Sequence, residues 1–579
     1  MSDLKVDKKT IQELFDDKKA DFLIPDYQRP YAWEEQECKT LWDDLFSFAF
    51  PENDYTKFNS NEDEYFLGPI VSFQNEGKIE IIDGQQRLTT LMLLLRAFYA
   101  KMEVGKREDQ KFLTTRQEIE RCIWKTTNEF YPDKNTLKIN SEVATDNDKE
   151  EFLTILKTGK IPQNSKSKYA QNYSFFQRKI NEFNDTFLDN FSYLPIRILK
   201  NCILLPIEAD NQDIALRIFS TLNDRGKPLA DADIFKAELY KYYSSKSQKD
   251  TFITRWKKLE EQTDSIFESS GYSMDELFTQ YMYYERAKQP NAKDTTTEAL
   301  RKFYEKNKYA LLKRDEILNN LENLANFWED ISRQNSDRFD ENILKKLYVL
   351  NYAPNRMWTY LVSVYFIQNQ NNWDNIHFLN FLNKIIGFIF AYTLINPGVS
   401  ALRTPVYPEM VNIVTGQDVT FQKVNKEELK NIYDNYTFSN NRAITRSLLT
   451  WWMFEKCPNQ KLPRLDTKFE IEHIFAKKRQ EIDGTLSDGK LLEALGNKVL
   501  LERGINISAS NFRFIDKKKY YLGEIKHKLG EIKHKDPTIV QELINFKEKE
   551  DFTEQDIKKR NEEIIATFIN YLDYLNLLR

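Results

Sequence analysis

The run IEIIDGQQRLTTLMLLLRAF at residues 79–98 constrains the fold most, because it sets a group of polar residues between two apolar segments. Residues 79–82 are typical of the end of a buried strand, and residues 88–98 are typical of a buried helix. The Asp83-Gly84 pair between them indicates a turn. The run therefore predicts a strand, a tight turn and a helix that is held in a core.

The polar residues of this turn suit an anionic ligand. A helix that begins after a turn exposes its first N–H groups, and these groups together with the helix dipole attract anions. Gly84 lets a ligand approach the backbone closely, and Arg87 adds a guanidinium suited to phosphate. Gln85 and Gln86 can each donate and accept hydrogen bonds. The alternative is a capped helix in which Arg87 forms a structural ion pair with Asp83.

Composition points to a mostly helical α+β protein. The chain has 579 residues, 41% of them hydrophobic and 30% charged, which is enough apolar material for several packed cores. Only 16 Gly and 17 Pro occur, and such low numbers favour helices. The pattern predicts three parts: a domain at residues 1–245, a helical connector at 246–450 and a second domain at 451–579. Within the first part, residues 103–200 are expected to be largely helical.

Several classes of protein are excluded by what the chain contains. Its four cysteines are far apart and without CxxC spacing, which fits reduced thiols in the cytoplasm and excludes a Cys-based zinc site. The N-terminus has no secretory apolar segment, and no run of 18 apolar residues predicts a membrane span. The net charge of −5 gives no global sign of nucleic-acid binding, so such a surface has to be local.

Two further polar clusters carry an arginine. PDYQRPYAW at 25–33 combines amide and guanidinium groups with aromatic rings, a combination that stacks on planar rings and holds phosphates. STLNDRGKPLADADIFK at 220–236 sets polar residues in a Gly turn and on the helix after it. Three such clusters in the first 240 residues predict one convergent pocket. No GxxxxGK sequence occurs, so a P-loop is not its route to phosphate binding.

YQRPYAW, IIDGQQRLTTL and IFSTLNDRGKPLADADIFK, in this order, resemble the N-terminal domain of GmrSD-type restriction proteins. That domain is related to the ParB-like nucleotide-binding fold, and the phosphorothioate-dependent SspE defence proteins share it. The resemblance implies a site that binds and hydrolyses a nucleoside triphosphate, either GTP or ATP. Carried over by position, the core motif is Asp83, Gly84, Gln85, Gln86 and Arg87, and its expected supports are Gln28, Arg29, Asn223, Arg225 and Lys236.

The C-terminal region carries a second constellation. KFEIEHIFAKK is a strand-like run that contains Glu472 and His473, and a Gly-Asn turn at Asn497 and a further amide at Asn506 follow it. His473 can take a proton from water near neutral pH, while Glu472 and Asn506 can hold Mg²⁺ or Mn²⁺ through oxygen. Asn497 can tie the loop together and orient His473. This set suits a single-metal phosphodiesterase, and the alternative is a buried structural histidine.

This segment resembles the HNH, or ββα-metal, nuclease domain that accompanies the GmrSD N-terminal domain. The His-Asn-Asn version of that motif matches His473, Asn497 and Asn506. The family often has Pro-Gln shortly after the His-Ile pair, where this chain has Ala476 and Lys477. The spacing from His473 to Asn497 is longer than in compact HNH cores, and Asn511 is a rival to Asn506 as metal ligand.

Local charge favours a DNA partner. Residues 460–535 contain 17 Lys and Arg against 11 Asp and Glu, inside a chain that is acidic overall. The densest basic clusters, KKR at 477–479 and KKK at 517–519, flank the proposed nuclease site. Their phosphate contacts would be independent of sequence and sensitive to salt. The alternative is that these lysines form an ordinary solvated face.

The sequence as a whole predicts a cytoplasmic, nucleotide-regulated endonuclease that cuts or nicks foreign, modified phage DNA. A ParB-like domain binds the nucleoside triphosphate, a helical middle links, and an HNH domain cleaves. Two alternatives stay open: a nucleotide-dependent DNA-binding regulator without cleavage, and an RNA-cutting toxin. The sequence does not determine the oligomeric state, nor does it distinguish GTP from ATP.

Overall fold

The computed structural model divides the chain into two compact units, Met1–Lys258 and Leu259–Arg579. It is 62% helical with a small mixed sheet, which confirms the predicted α+β, predominantly helical class. The structure describes residues 5–104, 109–128, 131–143, 146–187, 190–212, 214–216, 218, 230–267, 273–289, 298–396, 402–510, 513–526 and 532–579.

The first unit interleaves strands and helices. Its strands are β1 Lys5–Val6, β2 Lys9–Thr10, β3 Phe22–Ile24, β4 Tyr65–Asn75, β5 Lys78–Asp83, β6 Trp124–Asn128, β7 Tyr131–Leu137, β8 Ile139–Ser141 and β9 Cys202–Ala209. Its helices are α1 Ile11–Phe15, α2 Glu35–Ala49, α3 Gln85–Val104, α4 Gln110–Ile123, α5 Lys149–Thr158, α6 Lys168–Thr186, α7 Tyr193–Asn201 and α8 Asp231–Ser245, and α9 Lys249–Ile266 contains the boundary between the units.

A seven-stranded mixed sheet forms the frame of the first unit. The strand order is β1-β9-β4-β5-β3-β8, and β2 pairs with β9 as well. β4 runs parallel to β9 and antiparallel to β5, and β5 runs parallel to β3. β5 therefore lies inside the sheet, and its last residue, Asp83, delivers the chain directly into α3.

Helix α3 is the centre of the core of the first unit. The side chains of nine consecutive residues, 88–96, are buried, because α3 packs against α4 and α6 as well as against the sheet. Leu91, Leu94 and Phe98 have no exposed surface. A helix that is apolar on all sides is stable only when it is enclosed. The N-terminal end of α3 is therefore held firmly in place, as the sequence predicts.

Residues 103–200 are less uniformly helical than the sequence predicts. The strands β6, β7 and β8 lie between α4 and α5. β6 pairs with β7, and β8 joins the main sheet beside β3. The apolar positions in this stretch are few and the strands are short, so their pairing partners rather than local periodicity decide the structure.

The second unit begins with a large helical array and ends with a small α/β part. Its helices are α10 Ser273–Ala287, α11 Leu300–Tyr309, α12 Glu316–Ser332, α13 Glu341–Asn351, α14 Met357–Asn369, α15 Asn375–Ile395, α16 Arg403–Val414, α17 Lys426–Asn435, α18 Ala443–Lys456, α19 Lys477–Asp483, α20 Arg503–Ala509, α21 Phe514–Tyr521, α22 Gln541–Ile544 and α23 Glu554–Tyr574. Its strands are β10 Phe469–His473, β11 Lys498–Glu502, β12 Glu524–Lys526 and β13 Ile532–His534.

The helical array and the C-terminal α/β part belong to one compact unit. α18 packs against β11, and α15 packs against α23, where the Tyr571 hydroxyl donates to Asn383 Oδ1 at 2.8 Å. The predicted division of this region at residue 450 stays a prediction, as does the boundary at 245, which coincides with the end of α8.

Helix α15 is long and apolar enough to cross a membrane by length and composition. Of its apolar window, however, 61% is buried inside the protein. Phe388, Ile389 and Phe390 have no exposed surface. The helix therefore resembles the core helix of a soluble domain, and no membrane protein is indicated.

Candidate functional site

The loop at 25–33 is fastened to the start of α3. The Gln86 side chain does this twice: its Nε2 donates to the Pro30 carbonyl at 3.0 Å, and its Oε1 accepts from the Ala32 N–H at 2.7 Å. Gln28 Nε2 donates at 3.0 Å to the carbonyl of Ile82, the next-to-last residue of β5. These side-chain amides hold the loop against the DGQQR motif. Gln28 and Gln86 are therefore positioning residues, because their amides bind backbone groups of the protein.

Gly84 forms the tight turn between β5 and α3. Its φ is +92°, a region that L side chains rarely adopt. A Cβ at this position would lie 3.0 Å from Ile70 Cγ1 and 3.4 Å from the Pro69 carbonyl oxygen. Any other residue would thus strain the backbone and separate the turn from β4. The glycine is required by the turn itself, whether or not a ligand approaches it.

Arg87 packs across β4 rather than against Asp83. Its Nη1 donates to the Pro69 carbonyl at 3.0 Å, and a Cβ at Gly68 would lie 2.9 Å from its guanidinium carbon. Between these two described residues no Arg87–Asp83 ion pair forms within 4.0 Å. Burial raises the pKa of Asp83, against the opposing influence of the Gly84 N–H, Arg87 and Arg29. The alternative of a structural Arg87–Asp83 ion pair is therefore not observed. The Asp83 carboxylate instead lies near the guanidinium groups of Arg87 and Arg29.

Gln85 contributes an unsatisfied acceptor at the first position of α3. The residue is 6% exposed, and its Nε2 approaches the Arg29 carbonyl at 3.5 Å. Its Oε1 is buried without a hydrogen-bond partner in the described part of the chain. Because buried polar atoms are rarely left unpaired, this oxygen suits a donor group of a ligand or a water molecule.

Helix α8 lies beside the same loop. Asp233, Ile234 and Ala237 of α8 line a small cleft together with Gln28 and Arg29. Two contacts fix this arrangement, since Asp26 accepts from the Tyr240 hydroxyl at 3.0 Å and pairs with Lys249 at 2.6 Å.

Lys236 lies on α8 but is buried, with Nζ 5.9 Å from the centre of the Trp256 ring. It is not among the residues that line the cleft. Asn223 and Arg225 lie outside the described residues. The structure therefore brings together Gln28, Arg29 and the DGQQR motif.

In the second unit, β10 and β11 form an antiparallel hairpin that joins the two ends of the long loop at 474–497. His473 pairs with Lys498 in the strand register, and the Ile474 N–H donates to the Asn497 carbonyl at 2.9 Å. The side chain of Asn497 has no exposed surface. Its Oδ1 accepts from the Phe475 N–H at 2.7 Å, and its Nδ2 donates to the Phe475 carbonyl at 3.1 Å. Asn497 thus ties the loop together and is a positioning residue.

His473 lies at the end of β10 with its side chain 13% exposed. Its Nε2 is 3.5 Å from Glu493 Oε1 but makes no hydrogen bond to the described residues. Burial and then Lys498 lower the pKa of His473 to about 4, although Glu493 opposes them. Glu493 is itself bound by Lys477 and Lys498, each at 2.5 Å. The imidazole is therefore neutral at physiological pH and can accept a proton.

Glu472 points to the opposite face of the strand from His473, because successive side chains alternate. It forms a buried ion pair with Lys517 and accepts from the Tyr521 hydroxyl at 3.3 Å. Lys517 Nζ also donates to the His473 carbonyl at 2.7 Å. Burial raises the pKa of Glu472, while Lys517 and Tyr521 oppose the shift.

Asn506, on α20, lies on the same face of β10 as Glu472. Its Nδ2 donates to Glu470 Oε2 at 2.7 Å, and its Oδ1 is buried without a hydrogen-bond partner among the described residues. Glu470 and Glu472 share this face because they are two positions apart. The rival ligand Asn511 lies outside the described residues.

Two protein-family models match the chain, one over each of the two candidate sites. The model of the N-terminal domain of GmrSD restriction endonucleases matches residues 11–240, and that of their C-terminal domain matches residues 417–567. The chain belongs to the GmrSD restriction endonuclease family. GmrSD membership makes the chain a restriction endonuclease for modified DNA, and the segment at 241–416 lies outside both matches. No curated protein matches the chain.

The sequence does not predict the role of Arg560 in this GmrSD chain, although it does predict the Gly-Asn turn that Arg560 holds. Arg560, on α23, donates to the carbonyls of Leu495, Gly496 and Lys498 at 2.9, 3.1 and 2.8 Å. A Cβ at Gly496 would lie 2.1 Å from the Ile557 carbonyl oxygen of α23, so only glycine fits there. No local signal marks Arg560, since it is far from the loop in sequence and the contact is purely tertiary.

The basic clusters of this chain are largely neutralised by their own neighbours. Lys477 pairs with Glu493, Arg479 with Asp551 and Lys517 with Glu472, while Lys518 donates to two backbone carbonyls and Lys519 pairs with Asp516. Lys478 is exposed and makes no ion pair with the residues that the structure describes. The local excess of basic residues therefore overstates the number of cations free to meet a phosphate backbone.

Glu472 and Asn506 offer oxygen atoms of the kind that a hard divalent cation takes, on the face of β10 opposite His473. Within the described ranges, no three His, Cys, Asp or Glu side chains lie close enough to share a metal ion. The amide oxygen of Asn506 is nevertheless buried and unpaired, and Glu472 provides a carboxylate on the same face. Lys517 at present supplies the positive charge that a cation would bring to Glu472.

Proposed function

We propose that this chain is a nucleotide-regulated, metal-dependent endonuclease that cuts or nicks foreign, modified DNA in phage defence. A C-terminal domain of the HNH (ββα-metal) type cleaves, and a ParB-like N-terminal domain binds and hydrolyses GTP or ATP. The observation that carries the proposal is His473, a buried histidine whose Nε2 makes no hydrogen bond to the described residues and whose low pKa keeps it neutral. Membership of the GmrSD family supports DNA as its substrate.

In the proposed reaction, His473 Nε2 accepts a proton from a water molecule as the water oxygen attacks phosphorus. The bond from phosphorus to the leaving oxygen then breaks. The negative charge of a bound phosphodiester opposes the influence of Lys498 and Lys477, and it raises the pKa of His473 towards the range where proton transfer is efficient. Asn497 and Lys517 keep the end of β10 in position.

Glu472 and Asn506 would hold Mg²⁺ or Mn²⁺ in this proposal. Both offer oxygen, which hard cations prefer. When bound, such an ion would neutralise phosphate charge and stabilise the leaving oxygen. Lys517, which pairs with Glu472 and donates to the His473 carbonyl, holds the end of β10 in position.

Removal of divalent metal is expected to lower DNA cleavage by about 100-fold, the effect of losing several kcal/mol of transition-state stabilisation. The measurement is the rate of plasmid nicking by the full chain in EDTA, followed by addition of excess Mg²⁺ or Mn²⁺. Restoration by these ions but not by Ca²⁺ or buffer alone supports the site. Full activity in the chelator would show that Lys517 alone supplies the charge and that no metal is used.

The nucleotide site is proposed at the N-terminus of α3. The free N–H groups of that helix and the guanidiniums of Arg29 and Arg87 suit a triphosphate. The unpaired Gln85 Oε1 suits a donor group of the nucleotide. Asp83 lies beside both arginines, and these oppose the rise that burial causes in its pKa.

Replacement of Arg87 by alanine is expected to lower triphosphate hydrolysis by about 100-fold, as the loss of one positioned donor does at other anionic transition states. Calorimetric titration with GTP and with ATP measures binding, and phosphate release measures hydrolysis. Arg178→Ala is the matched control, because Arg178 is exposed and forms an ion pair with Glu35 on the surface of the same unit. Equal binding and hydrolysis by Arg87→Ala and the control would show that the role of Arg87 is structural, namely its hydrogen bond to the Pro69 carbonyl.

Nucleotide regulation implies that Arg87→Ala also changes DNA cleavage, although Arg87 and His473 belong to different units. A shift from 1:99 to 99:1 between two states needs about 5.5 kcal/mol of differential affinity. The nicking rate is measured with no nucleotide, with triphosphate and with diphosphate, in wild type and in Arg87→Ala. We expect the wild-type rate to depend on the nucleotide and the mutant rate not to. Identical rates in all six conditions would show two independent enzymes.

A further inference from the structure

A cavity with a volume of about 240 Å³ lies in the helical array of the second unit. It is walled by α12, α13 and the start of α14, and nearly all of its lining residues fall between 266 and 359. These residues lie outside both segments that match the GmrSD domains. The cavity therefore belongs to neither the nucleotide site nor the nuclease site, and nothing in those two sites accounts for it.

The walls of the cavity are aromatic and rigid. Trp328 and Trp358 pack edge to face, with ring centres 5.6 Å apart, and Tyr348 lies beside them on α13. Trp328 Nε1 donates to the Ser363 hydroxyl at 3.0 Å, and that hydroxyl donates to Gln280 Oε1 at 2.9 Å. Gln280 is 1% exposed. This chain of bonds fixes the ring orientations, so the cavity is formed before any ligand arrives.

The mouth of the cavity is polar and offers hydrogen-bonding groups. Asn355 uses its Oδ1 to accept from the Met357 N–H at 2.9 Å, and Gln334 uses its Nε2 to donate to the Pro463 carbonyl at 2.9 Å. Asn355 Nδ2 and Gln334 Oε1 have no partner among the described residues, and Asn351 is exposed at the same opening. Arg356 is exposed there too, and it forms no ion pair with the residues that the structure describes.

We propose that this cavity takes a single modified base extruded from the DNA substrate and so reads the modification. Its volume lies below the range of roughly 300–1,000 Å³ that is usual for pockets of drug-sized ligands, which suits one planar ring with a substituent rather than a whole nucleoside triphosphate. Aromatic walls with amide groups at the edge are how proteins hold an extruded base. Arg356 would contact the flanking phosphate. The inference rests on the proposed function in one respect only, namely that the chain binds DNA.

The test uses the full chain carrying His473→Ala, in EDTA, so that binding is measured without cleavage. The probes are short duplexes that are identical except at one position: unmodified cytosine, 5-hydroxymethylcytosine, its glucosylated form, or a phosphorothioate linkage. 2-Aminopurine beside that position reports extrusion by its rise in fluorescence. We expect at least one base-modified duplex to bind about tenfold or more tightly than the unmodified one, with a rise in fluorescence.

Three variants connect that preference to the cavity. Ala353→Phe fills the cavity and should remove the preference, and Asn351→Leu, at the exposed mouth, should reduce it without disturbing the core. Arg356→Ala should weaken the binding of all duplexes similarly. It should also lower the slope of log affinity against log salt concentration by about one. Ile376→Phe places the same phenyl ring at a site that is 72% exposed and should change nothing.

The outcomes separate the two proposals. Binding of every duplex with equal affinity, a preference for the phosphorothioate alone, or a preference that survives both Ala353→Phe and Asn351→Leu would overturn the cavity proposal and leave the nuclease proposal intact. Failure to bind any duplex would overturn both. A preference that is lost in Asn351→Leu and retained in Ile376→Phe supports the cavity even if Ala353→Phe proves unstable.

Discussion

Replacement of His473 by alanine is expected to lower DNA cleavage by about 10²–10⁴-fold, the usual contribution of a positioned general base. The loss should be confined to the chemical step. His473 makes no side-chain hydrogen bond to the described residues, and its backbone pairing with Lys498 in the β10–β11 hairpin does not depend on the imidazole. Melting temperature and nucleotide hydrolysis should therefore stay close to wild type, while nicking of plasmid DNA falls.

His377→Ala is the matched control for this experiment. His377 lies in the first turn of α15 with its side chain 79% exposed, and it approaches only Asp374, at 3.8 Å. Its removal should leave cleavage unchanged. If His473→Ala nicks DNA at the rate of the His377→Ala control, His473 is not the general base and the HNH assignment is wrong. Absence of nicking by the wild type and by both variants would favour the DNA-binding regulator. The same pair of variants on single-stranded RNA tests the reading as an RNA-cutting toxin.

The parts of the fold that the sequence predicts well are those set by local pattern. The apolar run after DGQQR predicts the helix that the structure shows at Gln85–Val104, and residues 79–82 predict the strand at Lys78–Asp83. The expectation that residues 103–200 are largely helical does not predict the strands within residues 124–141, because these strands are short and are defined by their pairing partners. Local periodicity carries no information about such partners.

In the candidate sites too, some features follow from the local sequence and others depend on tertiary contacts. The proximity of Gln28 and Arg29 to DGQQR follows from three polar clusters of similar character, and the cleft beside α8 brings part of the third cluster to the same loop. By contrast, the pairing of Glu472 with Lys517 and the neutralisation of most of the basic clusters depend on which residues meet in three dimensions. A count of charges along the sequence cannot distinguish a paired lysine from a free one.

The Arg560–Glu542 pair is the clearest case in which tertiary structure supports the nuclease site. Arg560 is 6% exposed and Glu542 is 3% exposed, and two bonds of 2.8 Å join them. Burial raises the pKa of Glu542, but Arg560 and the Trp452 indole N–H outweigh it and hold the pKa below its ordinary value. The remaining arm of Arg560 holds the turn that carries Asn497.

Replacement of Arg560 by methionine is expected to lower the free energy of unfolding by about 3–5 kcal/mol, because it leaves the Glu542 charge buried without a partner. It also releases three carbonyls from the turn beside Asn497, so cleavage should fall even where the protein is folded. Denaturation in urea, followed by tryptophan fluorescence, measures the change. Arg464→Met, which removes an exposed pair with Asp466, should change stability little.

The double variant Arg560→Met/Glu542→Met should recover much of the lost stability, since no charge is then buried, yet it should not recover cleavage. A double variant as unstable as the single one would mean that the bonds to the turn, rather than the unpaired carboxylate, account for the loss.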